Sequence, residues 1–154
     1  MRLVRLAVLA LVVVGGCSFF DRYPDDDLAD ARLAAIEADP GFTFVPPGAA
    51  LDGVASVRRC ADEGADWSGL STQRNYDALT SMPLAYGALL TELEERGWVV
   101  TRHQVTDGEG PEAEASIHRS FDGWVADGQV QGFVADHRVE IAAGPDEAGV
   151  CSPT

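Results

Sequence analysis

The side chains of this 154-residue chain that could do chemistry are three histidines (His103, His118, His137), three cysteines (Cys17, Cys60, Cys151) and 25 carboxylates. A zinc site needs three or four ligands in one tetrahedral shell, but there is no CxxC or HxxxH pair. Strand alternation would put His103 on a face with Val99 and Val105, His118 on a polar face and His137 in a loop, so no metal is expected. The run Asp25-Asp26-Asp27 lacks the Gly and distant Glu of a calcium loop. Acyl transfer needs a nucleophile beside a base. Ser68-Gly69-Leu70-Ser71 is no GxSxG elbow, and no segment sets a base next to a serine. Pairs such as Asp62 with Asp66, or Glu112 with Glu114, could serve as acid and base, but so many carboxylates produce such pairs by chance. A polar array remains: Glu114, Ser116, His118 and Ser120 in one segment, and Asp127, Gln129 and Gln131 in the next. These residues would share one sheet face able to dock another protein. A plainly solvated face is the simpler account of the same pattern.

The elements that would position this array follow from periodicity. Asp122-Gly123 between two alternating runs is a hairpin signal, pairing Phe121 with Trp124, Arg119 with Ala126, Ile117 with Gly128 and Ala115 with Val130. The interleaved pairs, His118 with Asp127, Ser116 with Gln129 and Glu114 with Gln131, fall on the other face. A strand over 98–105 and a last strand after the loop 135–138, with Val134 opposite Val139, complete a four-stranded antiparallel meander. Its inner face is rich in small residues (Ala113, Ala115, Ala126, Gly128, Gly132) and needs bulky partners. Tyr86, Leu89, Leu90 and Leu93, at i, i+3, i+4 and i+7, supply them from a helix that Ser81 caps and Gly97 ends. A short N-terminal helix spans 28–38, with Leu28, Ala31, Ala35 and Ile36 at helical spacing. Residues 42–45, 56–59 and 70–76 have weaker strand character. The expected class is α+β, a helix laid on one face of an antiparallel sheet.

Composition narrows the partners. With 46% apolar residues the chain can bury a core, and 11 basic residues against 25 acidic give a net charge of −14. Such a surface repels phosphate backbones, so nucleic acid is excluded as a partner. All the basic residues are arginine.

The first residues read as an address. Arg2 and Arg5, an apolar run over 6–14, and Gly15-Gly16 before Cys17 have the three parts of an export signal. Nine apolar residues are too few to cross a bilayer, which takes roughly 20. Val13-Val14-Gly15-Gly16-Cys17 resembles a bacterial lipobox. That resemblance implies cleavage of a signal peptide over 1–16 and a diacylglycerol on Cys17, enough to hold the chain to a membrane. Residues 17–27 would form a polar tether below a single domain over 28–154. In an exported chain the remaining Cys60 and Cys151 default to a disulfide, worth roughly 4–5 kcal/mol for a loop of about 90 residues. Acidic tether, short helix, Pro-Gly-Phe, mid-chain Cys, helix ending in Glu-Arg-Gly-Trp, strands and final Cys together look like the small secreted lipoproteins of actinobacteria. That family carries no assigned activity, so the resemblance implies no catalytic residue. The expected function is that of a non-enzymatic, lipid-anchored protein on the extracytoplasmic face of the cell membrane, either binding an envelope protein partner or structural at the cell envelope. A small-ligand binder or an enzyme with its site within residues 42–76 is the alternative.

Overall fold

A computed structural model describes residues 26–59, 69–105 and 110–145. Its elements in chain order are α1 (Asp26–Glu37), β1 (Ala49–Arg59), β2 (Gly69–Ala78), α2 (Met82–Glu95), β3 (Val99–His103), β4 (Ala113–Phe121), β5 (Trp124–Phe133) and β6 (Arg138–Pro145). All six strands join one sheet in the order β1-β2-β6-β5-β4-β3, and every neighbouring pair is antiparallel. The fold is therefore α+β. Because β2 lies beside β6, α2 must carry the chain past β6, β5 and β4 to reach β3 at the far edge. That crossover lays the helix on the sheet.

The packing follows from side-chain size. Met82, Ala85, Leu89, Leu90 and Leu93 form the buried stripe of α2. Beneath them Ala115, Ile117, Val130, Val139 and Ile141 are buried from three strands. Small residues leave the room: a Cβ on Gly132 would stand 2.5 Å from the Met82 sulfur. Each large aliphatic side chain buried here contributes about 1.5–3 kcal/mol. The helix ends because Gly97 takes φ +89. The Trp98 and Gly97 amides then return to the Leu93 and Glu94 carbonyls at 2.9 and 3.1 Å, a Schellman closure.

Several expectations need correction. The sheet has six strands: the weaker strands expected at 56–59 and 70–76 fall within β1 and β2, which extend it beyond β6. Thr72 and Arg74 break the apolar alternation of β2 and weakened its signal. Residues 42–45 are no strand: they form a turn and an irregular stretch leading from α1 to β1, and Phe42 goes into the core. On α1 the buried stripe is Ala29, Leu33 and Ile36; Ala31 is exposed, so the helix is rotated to bring Leu33 inward. Ser81 is the N-cap of α2 by backbone conformation, but its side chain makes no capping hydrogen bond. The β4–β5 hairpin forms at Asp122-Gly123 in the expected register; only Gly123 of the turn has positive φ, so the turn is not of type I′. The β5–β6 register is two residues from the expected one, pairing Gly132 with Val139 and Phe133 with Arg138. The turn closes earlier, with the His137 amide on the Val134 carbonyl at 3.1 Å. A shift of two keeps every side chain on its face.

Candidate functional site: the polar face of the sheet

Alternation along β4 and β5 brings the seven residues of the polar array onto the face opposite the helices. His118 pairs with Asp127, Ser116 with Gln129 and Glu114 with Gln131. The neighbouring strands continue it. On β3, Thr101 pairs with Ser116 and His103 with Glu114. On the other side Glu140 pairs with Gln131 and Ala142 with Gln129, and Asn75 and Gln73 of β2 pair with the same two β6 residues. Local contacts hold several of these groups. Gln73 Nε2 donates to Asn75 Oδ1 at 2.9 Å, and the Arg138 Nε lies 2.8 Å from Glu140 Oε1 with its guanidinium 4.6 Å over the Phe133 ring.

A recess of about 400 Å³ opens on this face, bordered by Ser71, Ser116, Asp127, Gln129, Ala142 and Gly144, with Leu70, Gly128, Ala143 and Pro145 completing it. A smaller one of about 60 Å³ lies among Gln73, Gln129, Gln131, Glu140 and Ala142. Gln129 and Ala142 border both, so the two form one groove following β6. Its floor is low because β6 supplies only the methyl group of Ala142 and the backbone of Gly144 there. Gly144 is obligatory: a Cβ would stand 1.7 Å from the Leu70 carbonyl oxygen. Of the range 42–76, Leu70, Ser71 and Gln73 contribute to this groove, while Phe42 and Tyr76 are core residues.

The structure adds a contact that periodicity did not suggest. His103 Nε2 and Ser116 Oγ are 2.6 Å apart, so a base does stand beside a serine. Ser116 nevertheless lies within β4, paired on both sides. Its neighbouring amides belong to the ladders and are not grouped to stabilise an oxyanion, which acyl transfer requires. Among the described residues no group of three or more His, Cys, Asp or Glu is placed to hold a metal ion. The groove can form hydrogen bonds through amide, hydroxyl and carboxylate groups.

A second arrangement, which periodicity does not show, shapes the opposite face. Asp39, in the turn after α1, is buried. Its Oδ1 accepts from the Gly41 amide at 2.9 Å, the Phe42 amide at 3.1 Å and the Trp98 indole N–H at 2.9 Å, and its Oδ2 accepts from Arg119 Nη1. Asp-Pro-Gly hints at a local turn of this kind, but nothing local points to Trp98 or Arg119. Arg119 also lies 5.3 Å over the Phe121 ring. Phe121 stacks on Trp124 at 4.5 Å and Arg32 of α1 covers Trp124 at 5.3 Å. At the far edge Arg102 pairs with Glu94 of α2 at 2.8 Å, and this hydrogen bond holds the Glu94 carboxyl below its ordinary range.

Cys17, Cys60 and Cys151, and with them the lipidation and the disulfide, lie outside the described residues. Among those described, no helix is long and apolar enough to cross a membrane. Set against known proteins, the chain matches no family, no curated protein and no solved structure.

Proposed function

We propose that the chain is a non-enzymatic protein of the extracytoplasmic face of the cell membrane, anchored through a diacylglyceryl group on Cys17, whose polar sheet face binds a partner in the envelope. The carrying observation is the continuous face that gathers Ser116, His118, Asp127, Gln129 and Gln131 around a groove. Within that reading, β3 to β6 are the meander that bears the face, the helix α2 backs it, and α1 with the β1–β2 hairpin are additions around it. A Cys60–Cys151 disulfide would tie the end of the chain to its middle. Loss of Arg2 and Arg5 with the signal peptide takes the charge from −14 to −16, which keeps the domain off anionic headgroups and off nucleic acid, so contact with the membrane is left to the lipid.

Metabolic labelling with a fatty acid analogue should mark the wild type and miss Cys17→Ser; equal labelling of both would remove the anchor from the proposal. For the face, a photo-reactive residue at position 131 should give adducts in intact cells. The same residue at exposed Glu95 on α2 should give none. Equal adducts from both positions, or none from 131, would remove the face.

A further inference from the structure

The groove along β6 is lined mainly by amide, hydroxyl and small side chains, with a carboxylate at each end, Asp127 and Glu140. Ala142 and Gly144 make its floor, with Asp127, Gln129 and Gln131 along one side and Ser71 and Gln73 along the other. From Glu140 to Gly144 it runs about 13 Å, between flanking strands about 10 Å apart, proportions that suit a linear chain. We infer that this groove binds a neutral polysaccharide strand, with the amides of Gln73, Gln129 and Gln131 and the Ser71 hydroxyl meeting its hydroxyl groups. The inference rests on the reading that this face binds a partner, and names that partner's chemistry.

The choice follows from matching groups. A sugar hydroxyl both donates and accepts, and a primary amide offers two donors and an acceptor in one plane, so a row of glutamines satisfies a polyol whichever way its hydroxyls turn. Anions are disfavoured because the charged residues bordering the groove are Asp127 and Glu140, and the nearby Arg138 is engaged by Glu140 and Phe133. Apolar ligands need walls of large hydrophobic side chains, and the bordering side chains here are small or polar apart from Leu70, which is itself buried. An extended peptide is recognised by adding a strand at a sheet edge. This groove lies mid-sheet, where β6 is already paired to β2 and β5. Folded protein partners are held mainly by aromatic and arginine anchors, which the groove does not present.

The test is affinity electrophoresis of the full-length chain in non-ionic detergent, through native gels holding dextran, laminarin, mannan or a neutral galactan, with polygalacturonate as the anionic comparison. At least one neutral polymer should retard the chain. Ala142→Phe, which fills the groove floor from the solvent side, should weaken that retardation at least tenfold. The double variant Gln73→Ala/Gln129→Ala should do the same, and keeps the test readable if the phenylalanine disturbs the sheet. Retardation by none of the four neutral polymers, stronger retardation by polygalacturonate, or retardation unchanged in both variants would overturn the inference. If discrete protein adducts still form from position 131, the partner-binding reading stands and only the polysaccharide falls.

Discussion

The carboxylate of Asp39 joins three parts of the chain that are far apart in sequence: the turn after α1, the indole that precedes β3, and the end of β4. With 3% of the Asp39 side chain exposed and 27% of Arg119, the pair is largely withdrawn from water. Removing one partner of such a pair leaves the other uncompensated, at a cost of about 3–5 kcal/mol when burial is complete. Asp39→Ala should lose about 3 kcal/mol by urea unfolding, and Asp39→Asn, which keeps an acceptor for the two amides and the indole, clearly less. Equal losses would mean that the charge itself does the holding. Tyr76 offers a contrast. Its hydroxyl is buried near Arg74 without completing a hydrogen bond, and burial raises its pKa above the ordinary 10.0 despite the opposing pull of the guanidinium. Above that ordinary value the unfolded chain loses a proton that the folded chain retains, so folding stability is intact below about pH 10 and falls as pH rises further. Tyr76→Phe should shrink this alkaline loss, leaving the share due to Tyr86, which burial shifts the same way. Neutral-pH stability should change by less than about 1 kcal/mol, since no hydrogen bond is given up.

Among the elements, β6 and α2 respond to glycine replacement in opposite directions. Gly144 brings β6 against the β2 backbone so closely that a methyl group would force the strands apart. Gly144→Ala should cost about 3 kcal/mol, at the upper end of what overpacking takes, and should disturb the groove whose floor it makes. Gly87 sits on the exposed side of α2 with nothing within 4 Å of a built Cβ. There alanine adds helix propensity without contact, so Gly87→Ala should stabilise by about 0.5–1 kcal/mol. Paired denaturation curves of the two variants check both signs at once.

For the whole molecule the dominant field is its net charge of −14. Like charges distributed over so short a chain oppose compaction, and salt relaxes them by shortening the Debye length from about 30 Å at 0.01 M to about 8 Å at 0.15 M. The melting temperature should therefore rise between those ionic strengths. A fall would show that attractive pairs such as Arg102 with Glu94 and Arg96 with Glu92 outweigh the general repulsion.

Taken alone, the sequence determined the elements whose signals are local and repeated. The stripe Leu89, Leu90, Leu93 names the buried side of α2 because helical spacing leaves it no other. Two matched alternations around Asp122-Gly123 were enough to pair His118 with Asp127 across β4 and β5, since a slip of one residue would have turned both apolar rows to water. The polar array of the candidate site was legible for the same reason. Only the tertiary structure decided what depends on distant partners. It set β2 beside β6, so that Ser71 and Gln73 became the second side of the groove, and it turned α1 to bury Leu33. It placed His103 against Ser116 across a strand pair, and it made Asp39 an anchor for Trp98 and Arg119. In each case the deciding contact joins residues whose separation along the chain carries no periodic trace, and long-range pairing is settled by which surfaces can be buried together.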